Sequence, residues 1–146
     1  MPANSYGAGD KYDELNSHFF PAIIKKIVEA KKNKKNFIRL WGNGKAKREL
    51  IFNEDIANAC VYFLNKKTKE TLINIGTGKD KRIVDYAKFV MKMLNYKIKI
   101  KFDYSKPNGV PQKLLDVSLA KKYGWKAKTD LERGFWKTYY DFINNN

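Results

Sequence analysis

The sequence predicts an α+β fold, and three observations carry that prediction. Helical periodicity recurs in several stretches, short apolar runs bounded by Gly, Asn or Pro read as strands, and the two do not alternate as a βαβ chain would. The chain has 146 residues, 43% of them hydrophobic and 14% aromatic, which suits one packed domain and is too apolar for a disordered chain. It holds no run of about 18 apolar residues, so no membrane span is expected.

Taken in order, residues 1–20 read as loop, because Gly7, Gly9, Asp10 and Asn16 interrupt any period. Pro21 opens a helix, where its missing N–H is harmless, and Ile23, Ile24, Ile27 and Val28 form its apolar stripe. The run Lys31-Lys32-Asn33-Lys34-Lys35 ends it as a solvated tail. Phe37–Trp41 reads as a strand, Gly42-Asn43-Gly44 as a turn and Glu49–Phe52 as the returning strand of a hairpin. Asn53 is placed to cap a helix whose stripe is Ile56, Cys60, Phe63 and Leu64, which makes Cys60 a core residue. Residues 71–75 read as a short buried strand closed by Gly76-Thr77-Gly78. A second amphipathic helix buries Ile83, Ala87, Val90, Met91 and Leu94. Ile98–Phe102 alternates with lysines as a half-buried strand, residues 105–111 form a loop, and Leu114-Leu115 a brief strand. Residues 118–123 make a turn or two of helix stopped by Gly124. Thr129 and Glu132 have capping-box spacing ahead of a last helix that buries Leu131, Phe135, Thr138, Tyr139 and Phe142.

The net charge of +15 is almost all lysine, since arginine occurs only at positions 39, 48, 82 and 133. Arginine is the usual reader of base edges, and lysine, asparagine and isoleucine share A/T-rich codons, so compositional bias explains much of the charge. What remains attracts anions. No specific nucleic-acid partner is expected: a basic nucleic-acid module is the weaker alternative, with no recognisable RNA- or DNA-binding pattern behind it. One cysteine excludes an internal disulfide, no secretory leader is visible, and a cytoplasmic location is the expectation.

Three Gly-x-Gly pairs, at 7/9, 42/44 and 76/78, lack the third glycine of a dinucleotide-binding loop. Tyr62 and Lys66 have Tyr-x-x-x-Lys spacing, but 9 tyrosines and 26 lysines in 146 residues yield about 1.6 chance matches. The pair is rejected as catalytic. His18, the only histidine, stands at a helix start; that suits a general acid or base facing a cleft, although a lone histidine is more commonly structural. No cluster has metal-ligand spacing, so no metal site is expected. Trp41 and Arg48 flank a tight turn, where an indole can stack a base and a guanidinium can grip a phosphate; a hairpin with Trp41 in the core is the other reading. Residues 105–113, with two prolines and two lysines, form a constrained loop of the kind that lines ligand sites.

These segments stand in the order found in the GDP-L-fucose synthase family of extended short-chain dehydrogenases. The likeness runs through Pro2-Ala3-Asn4-Ser5-Tyr6-Gly7, Asn16-Ser17-His18 with Pro21-Ala22, Trp41-Gly42-x-Gly44 with Arg48-Glu49, Asn74-Ile75-Gly76-Thr77-Gly78, and Ser105-Lys106-Pro107 with Lys113-Leu114-Leu115-Asp116-Val117. The chain resembles only the carboxyl-terminal, substrate-binding half of that family, over residues 1–146, with the Rossmann half absent. Residues 1–20 would then be loop packed against that missing domain.

The resemblance implies a full-length, homodimeric enzyme that epimerises C3 and C5 of GDP-4-keto-6-deoxymannose and reduces C4 with NADPH. It casts His18 as the acid of epimerisation, Lys26, Trp41, Arg48 and Asn108 as GDP-sugar ligands, and Pro2, Ala3, Asn4 and Ser5 as neighbours of the nicotinamide. NADP(H) would not bind tightly to this chain alone, and reduction would need the missing half. Asn108 stands where the family commonly has aspartate, and Lys26 where arginine is frequent. Another nucleotide-sugar epimerase or dehydratase is the alternative within the enzyme class.

Overall fold

Three buried helical faces and one doubly buried strand organise the computed structural model, which describes residues 1–13 and 17–145. The elements are β1 (Asn4–Tyr6), α1 (Phe19–Lys32), β2 (Phe37–Trp41), β3 (Lys47–Phe52), α2 (Asn53–Leu64), β4 (Asp80–Arg82), α3 (Ile83–Met93), β5 (Lys99–Asp103), β6 (Gln112–Lys113), α4 (Ser118–Lys122) and α5 (Leu131–Asn145). The larger core gathers Phe20, Ile23, Ile24 and Ile27 of α1, Ala87, Val90 and Met91 of α3, and Phe135 and Phe142 of α5, together with Leu50 and Phe52 of β3. Ile51 faces the other way, into a smaller core with Ala59, Ala120 and Trp125. Alternation along β3 thus feeds both cores, which is why its apolar run is unbroken. Among the described residues no helix is long and apolar enough to cross a membrane.

The expected hairpin does not form. β2 pairs in parallel with β5, whereas β3 pairs in parallel with β1 and β6 and antiparallel with β4. The intervening glycines turn a corner instead. Gly42 donates its N–H to Asp103, extending the β2–β5 ladder, while Ile83 and Val84 donate to the carbonyls of Ala46 and Gly44, tying the corner to the start of α3. Nor are residues 1–20 all loop. Asn4–Tyr6 is a strand in register with Leu50–Phe52, and α1 already begins at Phe19, with Pro21 still in its first turn.

Residues 71–75 make only a single bridge, Pro2 to Ile75, with Leu72 exposed, so the buried strand expected there is not formed. The strand read at Leu114-Leu115 lies two residues earlier, as β6. Cys60 is exposed, not core. The inner face of α2 is set by Ala59 and by Asp55, whose carboxyl oxygens accept the N–H groups of Lys128 (3.2 Å) and Thr129 (2.9 Å). Ile56 and Phe63 pack against the smaller core as expected, so the buried aspartate shifts the inner face toward Asp55 and Ala59 at the expense of Cys60 and Leu64. Asn53 does not cap α2; its amide donates to the Ala8 carbonyl. The last helix is capped by Asp130, which accepts the Arg133 N–H at 2.8 Å, one residue after the expected Thr129.

Tyr6 and Tyr86 are 2% and 3% exposed, and burial first raises both phenols above the ordinary tyrosine range, helped at Tyr6 by Tyr86 and then Asp130 and Asp55, and at Tyr86 by Asp80 and Glu49. A phenol whose folded value is raised keeps its proton after the unfolded chain has lost it. Stability is therefore unaffected below about pH 10 and falls as the pH rises beyond it, by up to about 1.4 kcal/mol per pH unit for each phenol. Urea midpoints measured between pH 8 and 11 should be flat and then drop, and the drop should be smaller in Tyr86→Phe, which has one buried phenol fewer. An equal drop in wild type and Tyr86→Phe would contradict this.

Candidate functional site

α1, the end of β2 and the 105–111 loop enclose a cleft of about 380 Å³. His18, Lys26, Trp41 and Asn108 all line it, although they lie up to 90 positions apart in sequence. His18 is the residue just ahead of α1; its backbone is extended, its carbonyl receives the first helical N–H from Ala22, and its ring is left exposed at the cleft. Asp10 lies near enough to feel the imidazole. Burial raises the Asp10 carboxyl, against the Lys11 N–H bond and the His18 charge, which lower it. Asn16, next to this group in sequence, lies outside the described residues.

Lys26 sits eight residues after His18 on α1, about 12 Å along the helix axis. Its ammonium donates to the Arg39 carbonyl at 3.1 Å and stands 5.8 Å from the centre of the Trp41 ring. The Lys106 ammonium lies 5.5 Å from the same ring. Trp41 is 51% exposed, which removes the reading of a core tryptophan. An indole face flanked by two ammonium groups suits an aromatic base joined to an anion. Lys106 was not singled out by sequence; its approach to Trp41 depends on how the loop folds back.

Asn108 and Arg48 hold the wall of the cleft. The Asn108 side-chain oxygen accepts the Asn43 N–H at 2.7 Å, packing against Gly42, whose φ of +63° and missing Cβ allow the contact. An aspartate would keep that acceptor, so the exchange to asparagine preserves the geometry and drops only the charge. Arg48 does not line the cleft. One nitrogen of its guanidinium donates to the carbonyls of Lys47 and Val110, each at 2.7 Å, clasping the loop to β3. Gly109, at φ +68°, lies beside that guanidinium, where a Cβ would press on it at 3.2 Å.

Pro2, Ala3, Asn4 and Ser5 are not at this cleft. Ala3 donates its N–H to the Ile75 carbonyl, Asn4 and Ser5 pair with Leu50 and Ile51, and the Asn4 amide donates to the Glu49 carbonyl at 2.7 Å. Tyr62 donates its hydroxyl to the Tyr123 carbonyl at 2.8 Å, a structural role.

Glu49 is the polar residue that sequence reasoning passed over. It is 1% exposed, and its carboxyl accepts the N–H groups of Thr77 (2.6 Å), Gly78 (2.7 Å) and Leu115 (2.8 Å). The signal was present: a glutamate beside the apolar run Leu50-Ile51-Phe52 has to find donors when buried. The Gly76-Thr77-Gly78 turn therefore wraps a carboxyl group of its own chain. Its N–H groups at Thr77 and Gly78 are occupied, so these residues do not fit the phosphates of a dinucleotide. Among the described residues, no group of His, Cys, Asp or Glu could hold a metal ion.

Residues 1–76 match the model of the NAD dependent epimerase/dehydratase family. The chain is 45% identical over 145 residues to a GDP-L-colitose synthase of Yersinia pseudotuberculosis and 39% identical over 145 residues to a GDP-L-fucose synthase of Sinorhizobium fredii, 99% of this chain being covered in each case. It spans 47% and 46% of those two proteins, about half the length of the curated relatives it matches. In fold it is similar to a GDP-L-fucose synthetase from Naegleria fowleri solved with NADP bound, at a TM-score of 0.87 and 22% identity, covering 99% of this chain and 46% of that one. With over half its length inside the family model and relatives of this similarity along nearly all of it, the chain belongs to the NAD dependent epimerase/dehydratase family.

Proposed function

We propose that this chain is the GDP-sugar-binding half of an NADPH-dependent 3,5-epimerase/4-reductase that converts GDP-4-keto-6-deoxymannose to GDP-L-fucose. The observation that carries the reading is the convergence of His18, Lys26, Trp41 and Asn108 on one cleft. Trp41 stacks the base, Lys26 and Lys106 take the diphosphate, and the sugar lies toward His18. A 4-keto group acidifies the protons at C3 and C5, so a base removes each from one face while an acid returns one to the other; His18 is that acid. Arg48 contributes from outside the cleft, by holding the loop that carries Lys106 and Asn108.

The cofactor belongs to a second half of the enzyme. In a complete enzyme NADPH supplies the hydride for C4, and Pro2–Ser5 approach its nicotinamide end; this chain alone binds it weakly and is inert as a reductase. Val61, Leu64 and Leu72 are 62%, 84% and 62% exposed, on α2 and the 71–75 segment. That apolar surface is where the Rossmann half packs. The complete enzyme is a homodimer acting in the cytoplasm, with no specific nucleic-acid partner.

Titrating the purified chain with GDP and with NADPH tests the reading. GDP should bind and NADPH should not; no GDP binding at millimolar ligand would overturn it. The higher identity to the GDP-L-colitose synthase favours a second reading, a related enzyme that forms GDP-L-colitose. Tighter binding of GDP-L-colitose than of GDP-L-fucose would select it.

A further inference from the structure

Ser17 lines the same cleft, immediately before His18, and its hydroxyl oxygen is buried with no hydrogen-bond partner. Hydroxyl groups in that condition are uncommon, because a buried polar group forfeits its bonds to water. A serine side chain has three staggered wells about its Cα–Cβ bond, so this hydroxyl can swing toward the cleft without breaking any bond it now makes. A ligand that offers an acceptor or donor there gains a hydrogen bond at no cost to the fold.

We infer that Ser17 is a substrate-binding residue that hydrogen-bonds the sugar of the GDP-sugar, not its base or phosphates. The inference rests on the proposed function, and the axis of α1 gives it direction. Lys26 lies about 12 Å from the His18 end along the helix, and its ammonium stands 5.8 Å from the centre of the Trp41 ring. A nucleoside diphosphate sugar with its phosphates between Lys26 and Lys106 therefore has only its sugar within reach of Ser17. Its hydroxyl then holds the ring beside the imidazole, on the sugar's oxygen substituents.

The test compares GDP with GDP-L-fucose as ligands of the whole chain, by calorimetry, in the wild type, Ser17→Ala and Ser17→Thr. Ser17→Ala should leave the melting temperature unlowered, because an unpartnered hydroxyl stabilises nothing, and should leave GDP affinity within about twofold. Its affinity for GDP-L-fucose should fall about five- to tenfold, the weight of one neutral hydrogen bond, and Ser17→Thr should keep most of the wild-type affinity. Equal affinity of wild type and Ser17→Ala for GDP-L-fucose overturns the inference while leaving the proposed function standing. So does an equal loss in Ser17→Ala and Ser17→Thr, which would make shape and not the hydroxyl responsible. Failure of the wild type to bind GDP at all overturns the proposed function, and the Ser17 inference with it.

Discussion

Replacing Glu49 by glutamine should destabilise the chain by about 2–4 kcal/mol, a large effect for an isosteric change of one atom. Three backbone N–H groups converge on its carboxyl, two on one oxygen and one on the other. An amide offers a single acceptor oxygen, so whichever way it is turned its NH₂ faces at least one N–H. That donor then meets an NH₂ group in place of its acceptor, against a side chain that is 1% exposed. Urea denaturation reads the loss directly, and the melting temperature should fall by about 5–15 °C. The contrast is Glu54→Gln. Glu54 pairs with Lys137 at 2.6 Å, but its side chain is 61% exposed, and its loss should cost no more than about 1 kcal/mol. Equal effects at the two positions would contradict the structure.

The same residue shows where sequence reasoning stops. The faces of α1, α3 and α5 were legible because each helix repeats its apolar residues at its own period. Ala87, Val90, Met91, Phe135, Thr138 and Phe142 all lie where periodicity puts them. Strand pairing was not legible. Nothing local tells Phe37–Trp41 that its partner is Lys99–Asp103, some sixty residues away, when Glu49–Phe52 follows so closely. On α2 the periodicity held for Ile56 and Phe63 and failed for Cys60 and Leu64, which face out while an aspartate bonded to Lys128 and Thr129 faces inward. Buried carboxyl groups depend on donors far along the chain, and hydropathy is blind to them.

The site divides in the same way. His18 and Trp41 were singled out by residue type and place, Lys26 and Asn108 only through resemblance, and the fold brings all four to one cleft. Arg48 was read as a phosphate grip on the strength of its residue type. Its contacts make it a clasp on the Val110 carbonyl as well, and no spacing rule reveals a bond across 62 residues.

Removing the Trp41 ring separates binding from folding more sharply than any other change. As the last residue of β2, half exposed, it contributes little to the core, so Trp41→Ala should change stability by no more than about 0.5 kcal/mol. Its effect on ligand is expected to be far larger. Stacking a base on an aromatic ring is worth about 1–3 kcal/mol, so GDP affinity should fall about 5- to 150-fold, with Trp41→Phe recovering much of it. The two lysines act by a different force. Their ammonium groups lie 5.8 and 5.5 Å from the ring centre, are drawn to the ring, and present positive charge beside it. That attraction to phosphate is screened by salt, whereas stacking is not. GDP affinity should therefore weaken as sodium chloride rises in both wild type and Trp41→Ala, with similar slopes, and the slope should flatten in Lys106→Ala. Titrations at three salt concentrations distinguish the terms. If Trp41→Ala binds GDP as well as the wild type does, the indole is a surface ornament of β2, and the base of the ligand lies elsewhere.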